Sequence, residues 1–173
     1  MLSIIGEFQR EAVKLAKDPN SVEELKRFAY ARMSFIHYSK TEIENLGSMR
    51  VNSILISIAG LNDDFAEVDD SRFKDVLRLR FSDVTRDFGK FLAFRKNQAE
   101  QIIAFVNRNI PVDFVYINCE QGRSRSAAIH SALEKIYHAK EVNFLHCNLQ
   151  VKETLLDVIK NQRVSEVSTR IRP

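Results

Sequence analysis

Apolar positions recur along the chain with two periods, and the switch between them marks the elements. Phe8, Ala12, Leu15 and Ala16 share one side of a helix that ends near Lys17, where Asp18-Pro19-Asn20 breaks it. Ser21, with Glu24 three residues on, has the form of a capping box for a second helix whose apolar side is Val22, Leu25, Phe28 and Ala29. Residues 35–38 predict a short strand. Ser39 and Glu42 repeat the capping box ahead of a short helix that turns Ile43 and Leu46 inward and stops at Gly47. The β-branched stretch 51–58 predicts a buried strand, and the acidic stretch 60–70 a loop. Over 76–81 the alternation is strict. Leu77, Leu79 and Phe81 point one way, and Arg78 and Arg80 the other, as one solvated face of a strand.

After a polar connection at 82–90, residues 96–109 predict a helix with Ala99, Ile102, Ile103 and Val106 on its apolar side. Pro111 closes that stretch. Residues 114–117 are apolar without alternation, as a strand covered on both faces requires. A loop over 119–124 leads into a helix with Ile129, Ala132, Leu133 and Ile136 facing inward. Asn148 is placed to cap a last helix carrying Val151, Leu155, Val158 and Ile159, and the charged tail 160–173 is expected to fray. Strands alternating with helices predict an α/β three-layer sandwich. Its central, largely parallel twisted sheet of about four to five strands is flanked by helices. Neither a linker nor a repeat interrupts 1–173, so a single domain is expected, with 1–33 as a helical lead-in.

Composition narrows the class. The chain has 173 residues, 45% of them apolar, with five Gly and three Pro. Those counts support one core of ordinary size and exclude disordered, collagenous and low-complexity chains. The net charge of +3 does not by itself call for nucleic acid. Two cysteines, Cys119 and Cys147, cannot build a disulfide scaffold. The apolar start at Met1 to Ile5 is too short for a secretory leader, and no run approaches the roughly 18 apolar residues of a membrane span. A reducing, cytoplasmic location is therefore expected. The histidines His37, His130, His138 and His146 lack metal-ligand spacing, and ordinary surface or half-buried roles are expected of them.

The chemistry concentrates in Ile117-Asn118-Cys119-Glu120-Gln121-Gly122-Arg123-Ser124-Arg125-Ser126. A buried strand ends at a cysteine, a short turn containing Gly122 follows, and a helix begins. Unpaired N–H groups and the positive end of the helix dipole meet there, forming a nest for a tetrahedral anion. Arg125 adds a planar fork that can hold two oxygens. The same positive field favours the thiolate of Cys119.

This segment resembles the signature loop of the cysteine-dependent protein tyrosine phosphatases, a cysteine and an arginine separated by five residues and followed by Ser or Thr. Gly122 matches its dual-specificity form. The tract 77–84 is similar to that family's strand leading into the general-acid loop, and Asp83 precedes the cysteine by about the family's usual interval. Cys147-Asn148-Leu149-Gln150-Val151 looks like the start of the last helix in compact bacterial and phage-type members. The resemblance spans 35–159.

It implies that Cys119 attacks phosphorus to form a phosphocysteine, and that Asp83 is the general acid, with Asp87 as the alternative. Arg125 and the backbone of Glu120, Gln121, Gly122, Arg123 and Ser124 would hold the phosphate oxygens. Ser126 would hydrogen-bond the departing sulfur. The implied substrate is phosphotyrosine in a protein or peptide, with phosphoserine and phosphothreonine as further candidates. No metal, cofactor, membrane span or nucleic acid enters this reading. Asn118 stands where that family normally has His. A catalytically weak pseudophosphatase or phosphate-binding module is therefore the alternative from another class. Phosphoinositide or RNA 5′-phosphate hydrolysis is the alternative substrate reading.

Overall fold

The computed structural model describes residues 19–48 and 50–170, with side chains over 24–48 and 50–162. Four strands make one sheet: β1 (Ser34–Ser39), β2 (Ser53–Ala59), β3 (Asp75–Arg80) and β4 (Phe114–Cys119). Their order is β1-β4-β2-β3, and every pairing is parallel. The accompanying helices are α1 (Pro19–Arg32), α2 (Lys40–Glu44), α3 (Lys96–Asn109), α4 (Arg125–His138) and α5 (Leu149–Arg170). The α/β class is the predicted one, with a sheet that is parallel throughout.

β4 is interior because both of its faces are apolar. Residues 115–119 are at most 2% exposed. Val115, Ile117 and Cys119 face the helical side with Ile54, Ile56, Ile102, Ile129 and Leu155. Tyr116 faces the other side, against Ile43, Leu55 and Phe73. Each aliphatic side chain sealed this way contributes about 1.5–3 kcal/mol. The two covering layers are unequal. One is built from α3, α4 and α5. The other is α2 together with the irregular segment 61–74, which ends in a 3-10 turn (Asp70–Arg72) capped by the Asp69 side chain.

Three element ends differ from expectation. α1 is already helical at Pro19 and Asn20, ahead of the Ser21 that the capping pattern designates. α2 stops at Glu44, before Gly47, because Asn45 turns its N–H and its Nδ2 back onto the helix carbonyls. α5 continues to Arg170 through the tail expected to fray, since no Gly or Pro interrupts it before Pro173. The helix expected at 8–17 lies outside the described residues. The Ser39–Glu42 box forms in full, with Glu42 N donating to Ser39 Oγ and Ser39 N donating to the Glu42 carboxylate.

β1 and α4 also meet through histidines. His37 Nδ1 and His130 Nδ1 are 2.8 Å apart, so one ring donates to the lone pair of the other. That contact accommodates two neutral rings and not two cations. His130 Nε2 lies 3.6 Å from Glu134, whose second oxygen is 2.9 Å from His138 Nδ1. Phe144 stacks edge-on against both His37 and His130. Burial holds His37 below the ordinary 6.5, against the pull of Glu42. Burial, and then the His37 charge, push His130 down to about 4.

A histidine held below its unfolded value stabilises the fold above that value and loses the contribution as pH falls. The urea midpoint is therefore expected to drop between about pH 7 and about pH 5, before most carboxylates titrate. In His130→Asn that stretch of the profile flattens; an unchanged slope would remove the pair as its cause.

Candidate active site

β4 delivers Cys119 to the end of the sheet with its side chain on the helical face, 2% exposed. The chain then turns over residues 120–124 and enters α4 at Arg125. Cys119 Sγ lies 3.1 Å from Ser126 Oγ, so the sulfur has a hydroxyl partner from the first turn of the following helix. Arg125 is 6% exposed, and its Nη1 donates to the carbonyl of Phe81 at 3.0 Å. Its Nε is buried without a partner among the described residues. Asp63, Ser82, Asp83, Lys90, Phe91 and Arg125 line a cavity of about 460 Å³.

The loop is seated on β1. Lys40 N donates to the Glu120 carbonyl at 3.2 Å. Gly122 has φ +68°, and a Cβ there would stand 2.5 Å from Ser39 N and 2.7 Å from the Tyr38 carbonyl carbon. Both the dihedral and the space demand glycine. Glu120, Gln121 and Arg123 are exposed.

Asp83 is brought to the loop. Ser124 Oγ donates to Asp83 Oδ1 at 2.8 Å, and Asn148 Nδ2 donates to the same oxygen at 2.9 Å. Ser124 is the residue before α4, yet it makes no side-chain cap for that helix. Its hydroxyl goes to Asp83. Asp87 is elsewhere: it accepts from Ala93 N at 2.8 Å and pairs with Arg95 at 2.7 Å, bracing the 82–94 connection. Of the two candidate acids, only Asp83 touches the cysteine loop.

Sequence reasoning missed one member. Asn148 caps α5 as expected, through Val151 N at 3.3 Å. Its amide also holds Asp83, and its backbone N–H donates to Ser124 O at 3.3 Å. A capping residue that closes two helix starts onto one loop gives no separate sequence signal. Asn118, immediately before the cysteine, faces the thinner layer. It pairs in register with Tyr38 and Ser57, and its Oδ1 is buried without a partner among the described residues. Among the described residues no cluster of ligating side chains could hold a metal, and no helix is long and apolar enough to cross a membrane. Cys147 is half-buried and unpaired by any disulfide.

Gly122→Ala is expected to lower unfolding free energy by about 2–4 kcal/mol, from left-handed strain plus overlap with the β1 backbone. Chemical denaturation measures it; a change below about 0.5 kcal/mol would mean that the loop does not rest on β1 as described.

No family model matches the chain, and no curated protein matches it. Among solved structures, the crystal structure of PTPMT1 matches it at 16% identity, covering 80% of this chain and 97% of that one, with a TM-score of 0.47.

Proposed function

We propose that this chain hydrolyses phosphate monoesters through a phosphocysteine intermediate, with phosphotyrosine in proteins as the leading substrate class. One observation carries the reading. Arg125, buried with an unpartnered Nε, and Asp83, clamped to the loop through Ser124, line one cavity, and the loop between them starts at Cys119, whose sulfur lies against Ser126. A buried guanidinium N–H left without an acceptor is costly, and an oxyanion satisfies it.

In the first step the Cys119 sulfur attacks phosphorus, and the bond from phosphorus to the ester oxygen breaks. Asp83 gives its proton to that oxygen, so the alcohol leaves neutral. The phosphoryl oxygens take hydrogen bonds from Arg125 and from the N–H groups of the loop, which were fixed before substrate arrived. In the second step Asp83 accepts a proton from water as the water attacks phosphorus. The sulfur leaves, and the Ser126 hydroxyl beside it steadies the returning negative charge. Inorganic phosphate is released and Cys119 is restored. Charge neutralisation rests on Arg125 and backbone donors, so the scheme calls on no metal or cofactor.

Release of p-nitrophenol from its phosphate ester tests the scheme. Cys119→Ser is expected to abolish turnover, and a rate equal to wild type would end the proposal. Asp83→Asn is expected to lower kcat by about 10²–10⁴ and to remove the limb of the pH profile that depends on an acid. Asp87→Asn is expected to act mainly through stability. Arg125→Lys keeps the charge but loses the fork, and is expected to cost about 10²–10³ in kcat.

The unpartnered Asn118 Oδ1 favours a second reading, a phosphate-binding module with weak turnover. An amide there can hydrogen-bond but carries no charge. Under that reading Asn118→His raises kcat sharply, while phosphopeptide affinity measured on Cys119→Ser barely changes. Fast wild-type turnover excludes it.

A further inference from the structure

Arg78 and Arg80, expected to form a merely solvated face of β3, line a second cleft. It has a volume of about 500 Å³, and Phe65, Arg95, Asn97 and Gln101 complete much of its wall. Three arginines line it, and no carboxylate does. The cleft adjoins the cavity at Arg125. Arg80 donates to the carbonyls of Gly60 and Asp63, which belong to that cavity. Leu92 lines one space and its neighbour Phe91 the other. The arginine-lined cleft therefore lies between the Arg125 cavity and the open edge of the sheet at β3.

The guanidinium groups already show which ligand they accept. Arg78 holds Asp70 in a two-point fork at 2.7 and 2.8 Å, and Arg95 holds Asp87 at 2.7 Å. These pairs are well exposed, with side chains at 36% and 51% for the first and 56% and 49% for the second. Both pairs are open to solvent, so a ligand carboxylate can share these guanidinium groups or compete with Asp70 and Asp87 for them. The ring of Phe65 has Arg80 4.4 Å from its centre and Arg78 at 5.9 Å, so guanidinium groups already compete for the surface on which a nucleobase would stack. The amides of Asn97 and Gln101 suit a peptide backbone. A peptide fits this cleft better than a nucleic acid.

We propose that this cleft binds an acidic side chain of the phosphopeptide whose phosphate enters the Cys119 loop. The inference rests on the phosphatase reading. Arg78 lies three residues before Phe81, the residue whose carbonyl holds Arg125. At about 3.3 Å per residue that separation is about 10 Å, or about three residues of extended peptide. The preferred Asp or Glu thus sits about two to four residues from the phosphorylated one.

Fluorescence anisotropy on Cys119→Ser protein tests this with labelled phosphotyrosine peptides carrying Glu or Lys at those positions, on either side of the phosphotyrosine. The Glu peptide is expected to bind about tenfold tighter, and Arg78→Gln is expected to erase that advantage while Arg78→Lys restores part of it. With Cys119 intact, Arg78→Gln is expected to leave p-nitrophenyl phosphate turnover unchanged. Equal affinity for the Glu and Lys peptides would overturn the proposal, as would a Glu preference that survives Arg78→Gln. Displacement of the Glu peptide by a 5′-phosphorylated oligonucleotide, with dependence on Arg78, would overturn the peptide as occupant. Loss of the phosphatase reading has a separate signature, p-nitrophenyl phosphate turnover that does not depend on Cys119.

Discussion

The contact between Gly122 and the backbone of β1 is the constraint on which the site depends. A loop of five residues must leave a strand buried on both faces, reverse, and start a helix packed behind that strand. It can do so only by lying flat against the neighbouring strand, where there is room for hydrogen and nothing larger. The Lys40 to Glu120 hydrogen bond pins the same approach one turn earlier. With the loop pinned, Arg125 and Ser126 return beside the sulfur from which the chain departed. The parallel order of the sheet supplies the rest, because it puts β1 beside β4 and ends both at the same edge.

That edge also explains which groups are buried without partners. Arg125 is buried and held by the Phe81 carbonyl, and its Nε has no partner among the described residues, which makes it a pull on an anion. Asn118 sits one residue before Cys119 but faces the opposite layer. Its buried oxygen cannot contribute to the cavity, since successive residues of a strand alternate faces. The strand period separates a residue that can bind directly from one that can act only through its neighbours.

Much of this was legible in the sequence. The period of two along β3, the unbroken apolar run of β4 and the period of 3.6 in α3 specify side-chain burial, and burial decides these elements. Cys119, Gly122, Arg125 and Ser126 were legible because their spacing is fixed by a single short turn. The partners of Asp83 were not. Ser124 and Asn148 lie far apart in the chain, and each has an ordinary reason to stand before a helix. Only the packing of α5 on α4 brings both onto one carboxylate. The cleft at Arg78 and Arg80 was hidden for a related reason. Alternation tells which way a side chain points, and the wall it meets there comes from α3 and the 61–74 segment.

The hydroxyl of Ser124 has one more implication. A serine before a helix ordinarily folds back to satisfy the first-turn N–H groups, and this one is spent on Asp83 instead. The helix therefore gives up its internal stopper to a neighbouring loop. Whatever anion settles against those N–H groups completes the secondary structure as it binds, so ligand affinity and the local folding of α4 become one thermodynamic quantity.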